Sequence, residues 1–121
     1  MRQRILYVED NPQNMELVSR ILRHVGGYEV LGAINGLSGV AMAAKESPDL
    51  ILMDINLPDI SGLEATTRIK AQPHLARVPV VAFTADTGLA DRQHYLDAGC
   101  DGYMTKPVSA TSLLSIVREY L

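Results

Sequence analysis

The sequence predicts a single α/β domain, an open parallel sheet covered by helices on both faces. Three observations lead there. The runs ILYV (5–8), LILM (50–53) and VPVVAF (78–83) are continuously apolar and do not alternate, the pattern of strands buried on both faces. Helical periodicities lie between these runs. Strand and helix then alternate five times within 121 residues, with short connections and no linker, repeat or low-complexity stretch, which is the order of an α/β sheet.

In chain order, ILYV is the first strand. Asn11 followed by Pro12 reads as a helix cap with proline at the first helical position. Met15, Val18, Ile21, Leu22 and Val25 recur at three- and four-residue steps and predict the buried stripe of the first helix. YEVLGA (28–33) is a weaker second strand. Leu37, Val40, Ala41 and Ala44 predict the stripe of a second helix, closed by Pro48. LILM is the third strand. Ser61-Gly62-Leu63-Glu64 is a capping-box pattern that opens a third helix, with Leu63, Thr66 and Ile69 on one face. VPVVAF is the fourth strand. Residues 87–98 predict a fourth helix that is poor in apolar residues, GYM (102–104) a short fifth strand, and Leu113, Leu114, Val117, Tyr120 and Leu121 a fifth helix.

Composition narrows the function classes. Hydrophobic residues make up 47 % of the chain, the formal net charge is -3, and no Lys/Arg cluster exceeds two neighbours. Nucleic-acid binding needs a concentrated basic patch, so direct contact with nucleic acid is not expected. Cys100 is the single cysteine, which excludes an internal disulfide and fits a reducing compartment. RILYVEDN reaches acids after four apolar residues, unlike a signal peptide, and no apolar run approaches the roughly 20 residues of a membrane span. The expectation is a soluble, cytoplasmic protein with no membrane insertion.

In open α/β sheets ligands collect beyond the carboxyl ends of the strands. The first strand delivers Glu9 and Asp10 there, the third Asp54 and the fourth Thr84, while Lys106-Pro107 follows the fifth. Each has an ordinary reading: acids before a helix complement its dipole, and an aspartate after a strand forms turns. Their coincidence at four strand ends singles them out. At an effective dielectric of about 20, like charges about 5 Å apart repel by roughly 3 kcal/mol. One lysine does not neutralise three acids. A divalent cation does, and oxygen ligands suit Mg²⁺. Such a site suits phosphoryl transfer, which depends on positioning and charge neutralisation. Asp54 is then the natural acceptor, with Glu9 and Asp10 holding the metal.

VEDN, LILMDINLPDISG, AFTA and YMTKP, in this order and spacing, resemble the CheY-like receiver domain of bacterial response regulators, and the resemblance covers nearly the entire chain. It implies a three-layer (βα)5 flavodoxin-like fold, an open parallel five-stranded sheet of order 2-1-3-4-5. Asp54 would take a phosphoryl group from a phosphohistidine of a sensor histidine kinase or histidine phosphotransfer protein. Asp10, the Asp54 carboxylate and the Asn56 backbone carbonyl would bind Mg²⁺, with Glu9 reaching it through water and Mn²⁺ as a substitute. Lys106 would pair with the phosphoryl oxygens, Thr84 would donate a hydrogen bond to them, and the small Ala85 would leave the site open. Thr84 and Tyr103 would form the switch, its output passing to a downstream protein through the surface of the fourth helix, fifth strand and fifth helix. Pro58 and Gly62 match the turn after the acceptor, and Lys106-Pro107 would be cis. Asn56 and Asp86 flank the hydrolytic water in the family and would tune the phosphoryl lifetime, though Asp86 is equally readable as a helix cap.

The expectation is therefore a phosphorylation-activated switch of a two-component or phosphorelay system, occupying residues 1–121, with no output domain. It would catalyse its own phosphorylation and dephosphorylation without being a turnover enzyme. Two alternatives compete. A Mg²⁺-dependent phosphohydrolase with an Asp nucleophile commonly wants an acid two residues after it, where this chain has Asn56. An FMN carrier of the same sheet order wants a Gly/Ser/Thr-rich phosphate cradle, where this chain has EDNPQN. His24, His74 and His94 are scattered and read as surface or structural residues, Cys100 as packing, and Met42, Met53 and Met104 as core filler.

Overall fold

The protein was analysed as a computed structural model, which describes residues 2–85 and 89–121, and residues 89–91 by their backbone alone. Five parallel strands, β1 (Arg4–Val8), β2 (Glu29–Ala33), β3 (Leu50–Asp54), β4 (Val80–Thr84) and β5 (Gly102–Thr105), form one sheet of order β2-β1-β3-β4-β5. Helices α1 (Pro12–Arg20), α2 (Gly36–Glu46), α3 (Gly62–Lys70), α4 (Leu89–Asp97) and α5 (Ala110–Tyr120) connect and cover them.

The two faces of the sheet separate by strand periodicity. Ile5, Tyr7, Leu50, Leu52, Val81 and Phe83 point to one side, where Val18 and Leu22 and the α5 residues Leu113, Leu114 and Val117 close a core. Leu6, Val8, Ile51, Met53, Val80 and Ala82 point to the other, against Ala43, Ala65, Ile69 and Tyr95 of α2, α3 and α4. The continuous apolar runs are thus one strand's contribution to two cores. Met53 and Met104 are buried in them and Met42 packs at the edge. Cys100 is buried beside Thr66, as packing.

Three local differences from the sequence reading have physical causes. The fourth strand begins at Val80 and not at Val78. Pro79 has no N–H for the ladder, the Val78 carbonyl accepts from Lys70, and the Val80 N–H is taken by the Asp101 carboxylate at 2.8 Å. The first helix passes into a π-helical turn over Ile21–Val25. The wider i→i+5 winding turns Val25 out to 65 % exposure, off the predicted stripe. In α2 the buried face is Gly36, Gly39 and Ala43, while Leu37 is 50 % exposed. A Cβ at Gly39 would meet the Val8 side chain at 2.9 Å, so the glycine face lets α2 lie close on β1.

The four N–H groups that open α2 are all satisfied. Gly36 and Leu37 donate to the Asp59 carboxylate at 2.8 Å each, Ser38 donates to the Asn35 side chain and Gly39 to the Asn35 carbonyl. Asp59 lies in the loop after β3, so this cap ties that loop to α2. Gly62 fixes the other end of the loop: its N–H donates to the Ile55 carbonyl at 2.9 Å, and a Cβ there would collide with the backbone carbonyl of Asp54. Gly62→Ala should lower the unfolding free energy by about 2 kcal/mol, measured as a reduced urea midpoint with an unchanged slope.

Candidate functional site

The sheet register brings the predicted site residues together. Val8 pairs with Met53, Asp54 with Phe83, and Thr84 with Thr105. The carboxyl ends of β1, β3, β4 and β5 therefore finish at nearly one level. The Glu9 N–H donates to the Ala33 carbonyl at 2.9 Å, and the Lys106 N–H to the Thr84 carbonyl at 2.8 Å. These bonds carry the sheet one residue further on both sides of Asp54. The Lys106-Pro107 bond is cis, as expected.

At this edge Glu9 and Asp54 are 1 % and 3 % exposed, yet both are acids. Lys106 Nζ lies 3.0 Å from Glu9 Oε1 and 3.3 Å from Asp54 Oδ1. Tyr7, in the middle of the first apolar run, donates its hydroxyl to Glu9 Oε1 at 3.0 Å, and Asn14 and the Asn11 N–H reach the same carboxylate at 3.4 Å. The Asn56 N–H donates to Asp54 Oδ1 at 3.3 Å. Tyr7 and Asn14 were not read as site residues from the sequence. Tyr7 looked like a core aromatic, and its position two residues before Glu9, on the same strand face, is the signal that could have found it.

The donors divide the two acids. Burial opposes the Glu9 charge, but hydrogen bonding with Asp54, Lys106 and Tyr7 outweighs it and holds the carboxyl down to about 2. Asp54 goes the other way, pushed up to about 6 by burial and by the neighbouring Glu9 carboxylate, with Lys106 pulling against both. Burial also opposes the Lys106 charge, yet the two carboxylates hold its ammonium above the ordinary range. Burial and the Glu9 charge push the Tyr7 phenol far upward, so it stays a donor.

Asp10 is exposed, and one oxygen from each of Glu9, Asp10 and Asp54 lies within 4.8 Å of the others. An all-oxygen donor set with one ligand open to water fits a hard cation that keeps part of its hydration shell, as Mg²⁺ does. Beside this cluster an open cavity of about 420 Å³ is lined by Ile55, Asn56, Thr84, Ala85 and Tyr95. Thr84 is buried, and its Oγ1 accepts a 2.8 Å hydrogen bond from the Tyr95 hydroxyl. The Tyr95 ring packs 6.1 Å from that of Tyr103 at 48°, and Arg92 lies over Tyr103 at 5.7 Å. Pro58 is exposed in the loop after β3 and Gly62 is buried at its end. Asp86 lies outside the described residues.

The family model for the response regulator receiver domain matches residues 5–118. The chain belongs to this family. The receiver is 40 % identical to the polar-differentiation response regulator DivK of Brucella anthropi over 121 residues, covering all of this chain and 98 % of that protein. Among solved structures, the chemotaxis response regulator CheY4 of Vibrio cholerae superposes with a TM-score of 0.95 at 28 % identity, covering 100 % of both chains. The receiver domain of sensor histidine kinase PA1611 from Pseudomonas aeruginosa, with a magnesium ion coordinated in its active-site cleft, superposes with a TM-score of 0.91 at 38 % identity, covering 99 % of this chain and 98 % of that one. Receivers are signalling switches of two-component systems rather than turnover enzymes, and they bind Mg²⁺ at an acidic pocket; this receiver carries a compatible cluster. No described helix is long and apolar enough to cross a membrane.

The raised Asp54 value has a consequence for metal-free stability. A carboxyl whose folded value lies above its ordinary one weakens folding when ionised, and the penalty is withdrawn progressively as pH falls from about 6 to the ordinary 3.8. Glu9, held down to about 2, acts oppositely and only in stronger acid. Without metal, Asp54→Asn should melt about 5 °C above the parent at about pH 7, and the gap should narrow below about pH 6 and close only near about pH 4. Differential scanning calorimetry in chelator measures both.

Proposed function

We propose that this chain is a phosphorylation-activated switch in which Asp54 accepts a phosphoryl group from a phosphohistidine. The observation that carries the reading is the buried Asp54 carboxylate at the end of the central strand, with Lys106 Nζ 3.3 Å away and Glu9 and Asp10 oxygens within 4.8 Å. No such concentration of acids belongs at a buried sheet edge unless it is paired or used.

An Asp54 carboxylate oxygen attacks phosphorus and forms an acyl phosphate. The P–N bond breaks, its electron pair stays on the imidazole, and the ring departs neutral after taking a proton at its other nitrogen. Mg²⁺ held by Asp10, Asp54 and the Asn56 carbonyl, with Glu9 reached through water and Mn²⁺ as a substitute, would neutralise charge on the carboxylates and the incoming phosphoryl. Lys106 pairs with a phosphoryl oxygen, as it already spans Glu9 and Asp54. Thr84 donates its hydroxyl to another, and Ala85 leaves room beside it. Water attack on phosphorus later returns the Asp54 carboxylate and inorganic phosphate, with Asn56 and Asp86 setting that lifetime.

The donor is a sensor histidine kinase or a histidine phosphotransfer protein. Residues 1–121 act as one receiver unit in the cytoplasm, and Thr84 and Tyr103 pass the change to a protein target through the surface of α4, β5 and α5, without direct contact to nucleic acid. A phosphoryl group shifts that surface only by its differential affinity for the two arrangements.

Phosphotransfer from a panel of radiolabelled histidine kinases tests this. Label should reach the parent protein in the presence of Mg²⁺ and not Asp54→Asn, and chelation should abolish it. Transfer to Asp54→Asn at the parental rate overturns the assignment.

A further inference from the structure

The role proposed for Thr84 leaves a neighbouring side chain unused. Tyr95 is 6 % exposed, although it sits on a helix poor in large apolar residues. Among the described side chains of α4 it alone is buried, with Arg92, Gln93, His94, Leu96 and Asp97 all exposed. The buried contact among the described side chains of α4 is thus this one ring, beside the exposed Arg92 that lies over Tyr103 at 5.7 Å. That ring ends in a hydroxyl bonded to Thr84 Oγ1 at 2.8 Å and packs 6.1 Å from Tyr103. It also lines the open cavity next to Asn56 and Ala85.

We propose that Tyr95 is the positioning residue that couples the site threonine to α4, so that a shift of Thr84 toward a phosphoryl group is transmitted to α4 and Tyr103 through the Tyr95 hydroxyl. The inference rests on Asp54 being the phosphoryl acceptor. A hydroxyl has one donor and two acceptor sites. Thr84 accepts from Tyr95 with one oxygen lone pair, so this bond does not use the donor that the proposed function assigns to a phosphoryl oxygen. The resulting chain, Tyr95 to Thr84 to phosphoryl, is aligned in one direction, and such chains strengthen each other's bonds.

The phenol oxygen is rigidly fixed to its ring. A Thr84 displacement that left Tyr95 behind would strand a buried donor, an outcome folding avoids. The ring follows the threonine instead, and with it the helix that carries it. Tyr103 then responds to a change in its aromatic neighbour as well as to space vacated by Thr84.

The experiment uses beryllofluoride with Mg²⁺ as the phosphoryl mimic, and amide NMR of α4 and β5 as the readout. In the parent, bound fluoride appears in the ¹⁹F spectrum and the α4 and β5 amides shift. In Tyr95→Phe, which preserves the ring, bound fluoride should remain while the amide shifts fall by about half or more. With 3-fluorotyrosine incorporated, the Tyr95 resonance of the otherwise native protein should move on adding the mimic, a measurement independent of the variant's folding. Parental amide shifts in Tyr95→Phe, or a stationary Tyr95 resonance while fluoride is bound, overturn the coupling role. Absence of bound fluoride in the parent overturns the acceptor reading itself.

Discussion

Two buried carboxylates share one ammonium at the carboxyl edge of the sheet, and the rest of the structure is arranged around that contact. Lys106 reaches both Glu9 and Asp54 because the fourth and fifth strands end level with the first and third. The sharing is unequal. Glu9 has the shorter contact to Lys106 and the Tyr7 hydroxyl as well, while Asp54 is left with the greater burden of proximity. A cluster built in this way is short of positive charge, and that shortage makes it receptive to a divalent cation.

Around this contact the molecule divides into a stiff side and an adaptable one. On the stiff side α2 approaches β1 through glycines, and the loop after β3 is clasped by Asp59 and Gly62. On the other side α4 presents exposed side chains, and Tyr95 is the buried one among its described residues. Such an asymmetry suits a switch. The groups that bind must keep their geometry, while the groups that report must have somewhere to go.

Much of this was legible in the sequence, for definite reasons. Leu50 to Met53 could be read as a doubly buried strand because its apolar run has no gap, and the acids at the strand ends stood out because they interrupt such runs. Sheet order and the cis Lys106-Pro107 bond came with the family resemblance and not from periodicity. What stayed hidden was chemistry that hydrophobic patterns ignore. The glycine face of α2 was invisible because a stripe is sought in large side chains, and Leu37 was taken for its core. Proline at 79 was absorbed into an apolar run although it stops a ladder. Tyr7 was counted within an apolar run and Tyr95 was not singled out, when their hydroxyls are what join them to Glu9 and Thr84.

The Asp59 cap also bears on how receivers can be recombined. Its carboxylate closes α2 from a loop 22 and 23 residues further along the chain. The first turn of α2 and the loop that follows β3 are therefore one module written in two places. A chimera that moved the Asn56–Ser61 loop into another receiver without Gly36 and Leu37 would carry half a joint. Compatibility between swapped parts is decided at this seam, away from the phosphoryl chemistry itself.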